Sequence, residues 1–400
     1  MIKVAVICDY LEERWPSMDL VGDMLLDQLR ADSEIQATCI RPVMRRWLTS
    51  GNSQAAHNAD RFLNRFLEYP RFLRRNRDFD VFHIVDHSYA HLVHSLPAHR
   101  TVVTCHDIDA FRSVLTPAEE PRGAAFRAMT AHILRGLKKA AVVTCDSLAT
   151  RQALLDHEVR PAASTPLAPL GVHPSCSPDA NLEADREVAS LMGAVNPFDI
   201  LHVGSTIPRK RIDVLLEIFN GVRKRFPAAR LIRVGGGFTE DQQKLVESLD
   251  LGASVVVLPH LTRDTLAAVY RRVALVLQPS DREGFGLPVA EAMACGTPVI
   301  ASDLDVLREI GGSVATYCET GNASAWIPEV IRLLEERAHC PHQWRERTKA
   351  CLRQAAGFTW TAYAARMSSI YRTLYPQKIR TAGSGEVRQF TRYDASVYDV

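Results

Sequence analysis

Apolar residues along this chain fall into two recurring patterns. Short runs such as KVAVIC (3–8), DVFHIVD (80–86), TVVTCHD (101–107) and AAVVTCDS (140–147) are apolar at most positions and close on a polar residue. Between them lie stretches such as MDLVGDMLLDQLR (18–30), apolar at helical spacing. Strands that are apolar on both faces and alternate with helices predict a parallel sheet covered on both sides. At TPLAPLGVHPSCSPDA (165–180) prolines cluster and the period lapses, as at a linker. The pattern then restarts with DILHVGS (199–205), ARLIRVGGG (229–237), SVVVLPH (254–260), ALVLQPS (274–280) and TPVIAS (297–302), separated by helical stretches such as IDVLLEIFNGVRKRF (212–226) and LAAVYRRV (266–273). Two successive units of this kind predict an α/β fold of two doubly wound, Rossmann-like domains facing across a cleft, residues 1–172 and 173–360. Ligands of such sheets lie beyond the carboxyl ends of the strands.

Composition narrows the class without changing that picture. The chain has 400 residues, 46% hydrophobic and 24% charged, and a formal net charge of +2, which gives no reason to expect a nucleic-acid partner. No window approaches the roughly 18 consecutive apolar residues of a membrane span. The opening run MIKVAVICDY is broken by Asp9 and reads as a first strand, not a leader. Nine cysteines without a CxxC pair suggest buried free thiols in a reducing, cytoplasmic setting. Charge is uneven, however. Arg41 to Arg77 holds nine arginines against Asp60 and Glu68. Within it Phe62, Leu63, Phe66 and Leu67 share a helical face ringed by arginines. One reading is peripheral contact with the inner membrane face through residues 61–77; the other is an amphipathic helix whose stripe faces its own core.

The densest candidate chemistry is DREGFGLPVAEAMACGTPVIAS, Asp281 to Ser302, where Glu283 and Glu291 flank seven residues. Gly284 and Gly286 allow backbone N–H groups to approach a ligand, and Pro288 suits a first helical turn. The positive end of that helix makes a phosphate site. Glu291, one turn in, can accept both hydroxyls of a ribose diol. Glu283, on the loop, sits where a second polar group of the ligand would be. A generic turn explains the glycines and proline but not acids at both places.

The stretch EGFGLPVAEAMACGTPVIAS resembles the E-x7-E signature of the retaining, GT-B-fold glycosyltransferases of family 4, the glycosyl transferases group 1. Other family stretches recur in order. LHVGSTIPRKRIDVLLEIF resembles the first strand, loop and helix of the donor domain, with Arg209 and Lys210 matching the residues that grip the donor diphosphate. Many members carry Arg directly after Gly204, where this chain has Ser205; it matches instead the subgroup with an Arg-Lys pair. RLIRVGGG matches the strand and glycine turn at Gly235, TVVTCHDIDAFR the acceptor-domain strand ending in His106, and FTWTAYAARMSSIYRTLY the helix, placed at 361–380, that crosses back to the first domain. Residues 381–400 have no period and read as a loose tail. The loop DYLEERWPSMD lacks the Gly-Gly pair that many members place after the first strand, so that loop's acceptor recognition does not carry over.

The resemblance implies a hexosyl transfer from a nucleotide-diphosphate sugar to an acceptor hydroxyl with retention at the anomeric carbon. The base stays open among UDP, GDP and ADP, and the acceptor among glycan, lipid-linked and small-molecule hydroxyls. Catalytic roles fall on His106, Glu283, Arg209 and Lys210, and donor binding on Glu291, Gly284, Phe285, Gly286, Leu287, Gly204, Ser205 and Gly235. No cofactor and no metal is expected. The DID at Asp107–Asp109 resembles a metal-binding DxD but follows a family-like His in a GT-B context, and His83, His87, His91, His94 and His99 crowd together without a Cys or carboxylate to complete a set. A sugar-nucleotide epimerase on the same fold would need acid/base groups at the sugar. A catalytically idle nucleotide-sugar-binding protein is disfavoured by the intact set of Glu283, Glu291, Arg209, Lys210 and His106.

Overall fold

A computed structural model describes residues 1–48 and 54–375; the expected tail at 381–400 lies outside them. The chain divides into two compact units, one of residues 1–171 with those from Trp360 onward, the other Val172–Thr359.

The first unit is built on β1 (Ile2–Ile7), β2 (Ile35–Ile40), β3 (Val81–Ile84), β4 (Thr101–Cys105) and β5 (Val142–Cys145). Among the described residues these form one sheet in the order β2-β1-β3-β4-β5, with every pairing parallel. Strands β3 and β4, inside the sheet, and β5, at its edge, are buried at every position, which is why they read as continuous apolar runs. The helix Trp360–Leu374 docks on this unit. Tyr371 Oη lies 2.7 Å from His83 Nδ1, and Arg372 pairs with Asp32 at 2.7 Å and Glu34 at 2.9 Å.

The arginine-rich stretch is helical over Gln54–Leu63, a π-helical turn over Asn64–Glu68, and helical again over Tyr69–Arg75. Asn64 anchors the bulge: its side-chain amide donates to the carbonyls of Asp60 (2.8 Å) and Arg45 (2.7 Å) and accepts from Arg45 N–H (2.8 Å). Much of the positive charge here is neutralised inside the unit. Arg61 and Arg65 pair with Glu13, Arg45 and Arg71 with Glu68, and Arg41 with Asp19 and Asp23. Phe66 turns inward and stacks on His91 at 4.4 Å between centroids, while Phe62, Leu67 and Phe72 stay exposed. Among the described residues no helix is long and apolar enough to cross a membrane.

The second unit carries β6 (Asp199–Val203), β7 (Arg230–Val234), β8 (Val255–Val257), β9 (Leu275–Gln278), β10 (Val299–Ser302) and β11 (Thr316–Cys318). Its sheet, of order β11-β10-β9-β6-β7-β8 among the described residues, is again parallel. Strand order reverses beside β6, and the carboxyl ends of β6, β7 and β9 feed the loops described below. The nine cysteines are free thiols; Cys39 is exposed and Cys340 half-buried, so the expectation of uniformly buried thiols fails at those two. Cys39 sits on β2, an edge strand, where one face meets solvent.

Candidate active site

Two glycine turns meet at the end of β6 and β7. Gly204 N–H donates to Val234 carbonyl at 2.9 Å, and a Cβ on Gly235, whose φ is +120°, would lie 2.3 Å from the Gly204 carbonyl oxygen. Only hydrogen fits there. The chain then runs through Ser205 to a short 3-10 turn, Pro208–Lys210, and Arg211 in the left-handed region (φ 48°) opens the helix Ile212–Arg223. Arg211 is fixed by Asp213 and Asp281.

That turn brings the basic pair onto the loop after β9. Lys210 Nζ donates to Glu283 Oε1 at 2.7 Å, and Arg209 Nη1 lies 3.8 Å from Glu283 Oε2. Arg209 also donates to the Arg282 carbonyl at 3.0 Å and accepts Asp281 N–H at 2.8 Å through its own carbonyl. Ser280 Oγ, at 2.7 Å, and Gln278 Nε2 complete the donors on Glu283 Oε1. Burial by itself would raise the Glu283 pKa, but Lys210 and Arg209 outweigh it and hold the carboxyl below its ordinary range. Glu283 is therefore an ionised carboxylate whose Oε1 is committed to its own loop.

Gly286 stands before the helix Leu287–Ala294 in the left-handed region (φ 96°), and no side chain caps that helix end. Pro288 is its second residue, and the Leu287 amide points out of the first turn. Phe285, beside it, is buried and packs edge-on against Phe358 with centroids 5.8 Å apart. Gly284 occupies the turn between Glu283 and Phe285. Glu291 is the fifth helical residue, at the start of the second turn, and is buried. Tyr270 Oη donates to Glu291 Oε2 at 2.9 Å. Burial drives the Glu291 pKa up to about 7, and the Tyr270 hydroxyl and the Arg263 charge pull it only part of the way back. A carboxylate held in that state gains from further hydroxyl donors.

His106 belongs to the first unit, just past β4. Its Nδ1 lies 2.8 Å from Asp146 Oδ2 and its Nε2 2.8 Å from the Val85 carbonyl. Both partners are acceptors, so both ring nitrogens carry protons and the ring is an imidazolium. Burial opposes that charge; Asp146, together with Asp86 and the Val85 carbonyl, overcomes it and sets the pKa at about 9. The catalytic role expected of His106, if exercised through a hydrogen bond to the donor sugar, would thus need the ring to leave one of these partners. The other histidines are engaged locally: His83 with Tyr371 and Thr104, His91 with the Arg65 carbonyl, His94 with the His132 carbonyl. Among the described residues no group of three or more His, Cys, Asp or Glu is placed to hold a metal ion.

Several residues that build the site carry no local signal. Tyr270 reads as an apolar position on the helix Arg263–Arg272, and Gln278 and Ser280 as the end of a strand, yet they hold the two glutamates. Asp146 closes β5 as one more polar terminator, although it fixes the charge of His106. On neighbouring strands His202 and Arg233 form a buried pair beneath the Gly204 turn.

The family model described as Glycosyl transferases group 1 matches residues 187–350. A D-inositol 3-phosphate glycosyltransferase of Mycobacteroides abscessus is 31% identical over 198 residues, 48% of this chain and 40% of that protein. Its counterpart in Mycobacterium bovis is 29% identical over 214 residues, 50% of this chain and 43% of that protein. The match thus spans well under half the length of these curated relatives. Among solved structures, sucrose-phosphate synthase of Thermosynechococcus elongatus superposes with a TM-score of 0.73 at 21% identity, covering 94% of this chain and 99% of that one. Anabaena HepE, solved with UDP and glucose, gives 0.68 at 14% identity over 93% and 100%. WaaG, a glycosyltransferase of lipopolysaccharide biosynthesis, gives 0.69 at 12% identity over 92% and 99%. The two parallel α/β units follow the GT-B architecture, and the stretch that matches the glycosyl transferases group 1 model lies within the second of them.

Proposed function

We propose that this protein is a metal-independent retaining glycosyltransferase of family 4, moving a hexosyl group from a nucleotide-diphosphate sugar to an acceptor hydroxyl without a cofactor. The observation that carries this reading is the Lys210–Glu283–Arg209 cluster, set between the Gly204 turn and an uncapped helix start. A diphosphate needs cations and free N–H groups, and both are supplied here by elements fixed in place. The UDP and UDP-glucose bound by Anabaena HepE support a nucleotide-sugar donor.

In this reading Glu291 accepts the ribose diol, and the amides of the Phe285–Leu287 turn and of Ser205 meet the diphosphate, which the side-chain-free turns at Gly204, Gly235 and Gly284 let approach closely. Lys210 keeps two N–H donors beyond the one given to Glu283, and these with Arg209 stabilise charge on the departing diphosphate. Glu283 Oε2 orients a sugar hydroxyl. The acceptor oxygen bonds to the anomeric carbon on the face the diphosphate leaves, the carbon–oxygen bond to phosphate breaks, and the acceptor proton passes to the departing phosphate oxygen. His106 contributes a fixed positive charge at a strand end of the first domain. The test is incubation with sugar-labelled UDP-, GDP- and ADP-sugars and a broad acceptor panel, with the product's anomeric configuration read by NMR. Transfer with inversion would remove the retaining assignment. Epimerised donor without transfer, or nucleotide binding without turnover, would replace the reading.

A further inference from the structure

The carboxyl end of β1 holds a group that nothing in the donor site explains. Asp9 is 3% exposed, and neither of its carboxylate oxygens has a hydrogen-bond donor. Its charged neighbours are Asp86, Glu13 and Arg65. Asp86 is already satisfied: Ser88 N–H donates to it at 2.8 Å, Ser88 Oγ donates as well, and His87 Nδ1 lies 3.5 Å away. Glu13 takes Arg61 at 2.7 Å and Arg65 at 3.5 Å. Arg65 in turn donates to the Ser88 carbonyl at 2.7 Å and lies 4.0 Å over the Tyr89 ring. Three carboxyl groups thus share two guanidinium groups, and Asp9 is the one left over. His106 adds no spare charge, because Asp146 balances it. Asp107, 3.5 Å from His87 Nε2, adds a further acid.

We propose that the first domain takes, over the ends of β1 and β3, an acceptor ring that bears hydroxyls and no phosphate, with one hydroxyl donating to Asp9. A hydroxyl is the donor that a buried carboxyl lacks, whereas a phosphate would enter a site with excess negative charge. Burial and Asp86 push the Asp9 pKa well up; a proton shared between the two carboxyls still leaves an Asp9 oxygen without a donor. The same loop presents Trp15, 45% exposed, next to Arg14, a non-glycine residue at φ 57°. An exposed indole suits the C–H face of a sugar ring, and a strained residue beside it suits a loop that shifts to admit one.

This inference rests on the transferase reading above, and its test separates the two. Sugar-labelled UDP-glucose, UDP-N-acetylglucosamine, GDP-mannose and ADP-glucose are each offered with matched acceptor pairs: glucose and glucose 6-phosphate, fructose and fructose 6-phosphate, myo-inositol and its 3-phosphate. Products are sorted by charge on an anion exchanger. The neutral member is expected to take label at least about tenfold faster. Asp9→Asn, which keeps shape and replaces an acceptor oxygen with an amide donor, should raise the acceptor KM about tenfold or more while leaving nucleoside diphosphate affinity unchanged by calorimetry. Trp15→Ala, at the surface, should raise the same KM. Faster transfer to the phosphorylated member, or an unaltered acceptor KM in Asp9→Asn, overturns the inference and leaves the transferase reading standing. Label on no acceptor from any donor removes both.

Discussion

Replacing Glu291 with glutamine separates what the second domain loses in stability from what it gains in binding. In the folded protein this carboxyl titrates at about 7 against an ordinary 4.5, with burial as the main cause. That difference corresponds to about 3 kcal/mol. The sign follows from proton counting. Between pH 4.5 and 7 the folded state retains a proton that the unfolded state has released, so stability falls as pH rises through this window. Above it the full cost is present. Glutamine has a similar shape and can still accept from Tyr270 through its carbonyl oxygen, so Glu291→Gln should remove most of that cost. Thermal or urea unfolding at pH 8 should show the variant more stable by up to about 3 kcal/mol, several degrees in Tm for a domain of this size. At pH 5 the two should unfold together. Calorimetric titration with UDP, GDP and ADP should show the reverse, a loss of about 2 kcal/mol in the preferred nucleotide's affinity, because an amide is a weaker acceptor for two hydroxyls. A variant no more stable than the parent at pH 8 would refute the buried-charge argument. Unchanged nucleotide affinity would refute the ribose placement.

Other substitutions probe neighbouring links. Lys210→Met removes the cation 2.7 Å from buried Glu283 and should cost about 3 kcal/mol of stability in urea unfolding, with Lys210→Met/Glu283→Gln recovering part of it; no recovery would mean the pair is not coupled. In steady-state kinetics Lys210→Ala should lower kcat more than it raises the donor KM, and equal effects would argue against a role at the departing phosphate. Gly286→Ala, at φ 96° and with a Cβ 2.7 Å from Leu307 Cδ2, should cost about 1–3 kcal/mol by denaturant midpoint; a change below about 0.5 would show that the turn relaxes freely. The His106 imidazole, with its pKa at about 9, contributes about 3 kcal/mol that is complete below pH 6.5 and lost as pH rises through 9, while burial raises the Asp146 pKa and offsets part of that gain. Asp146→Asn should flatten that slope in unfolding measurements, and an unaltered slope would assign it elsewhere.

Much of the fold is legible in the sequence, because burial on both faces of a parallel strand imprints a continuous apolar run. The exceptions obey the same physics. β2, IQATCI, and β11, TYC, are edge strands with mixed burial, and a search for apolar runs passes over both. The backbone of the candidate site is also legible, since Gly204, Gly235, Gly286 and Pro288 are chosen by local dihedral and steric demands. Partnerships are not. Lys210 and Glu283 lie 73 positions apart and Tyr270 and Glu291 21, and only the folded chain brings either pair within hydrogen-bonding reach. Glu291 also falls one position later than a first-turn residue, which is what carries its carboxylate to the Tyr270 side.

The polar groups at the two sheets' strand ends divide the chemistry by charge. At the ends of β6 and β9, Arg209 and Lys210 outnumber the one carboxylate they share, and buried Arg233 nearby has no carboxylate partner, with two of its nitrogens unbonded. At the ends of β1 and β3 the surplus is of the opposite sign, with Asp9 unsatisfied beside Asp86 and Glu13. Neither arrangement helps the free protein fold, since a buried charge or polar group without its partner destabilises it. In the proposed transfer each would be relieved by a different half of the reaction: the cationic end by a diphosphate, the acidic end by hydroxyls. An epimerase, which needs no second substrate, gives no account of the acidic end, and a passive nucleotide binder gives none for a lysine held against a carboxylate at the phosphate turn. A two-substrate transferase accounts for both, and the charge-sorted acceptor pairs are the measurement on which that account turns.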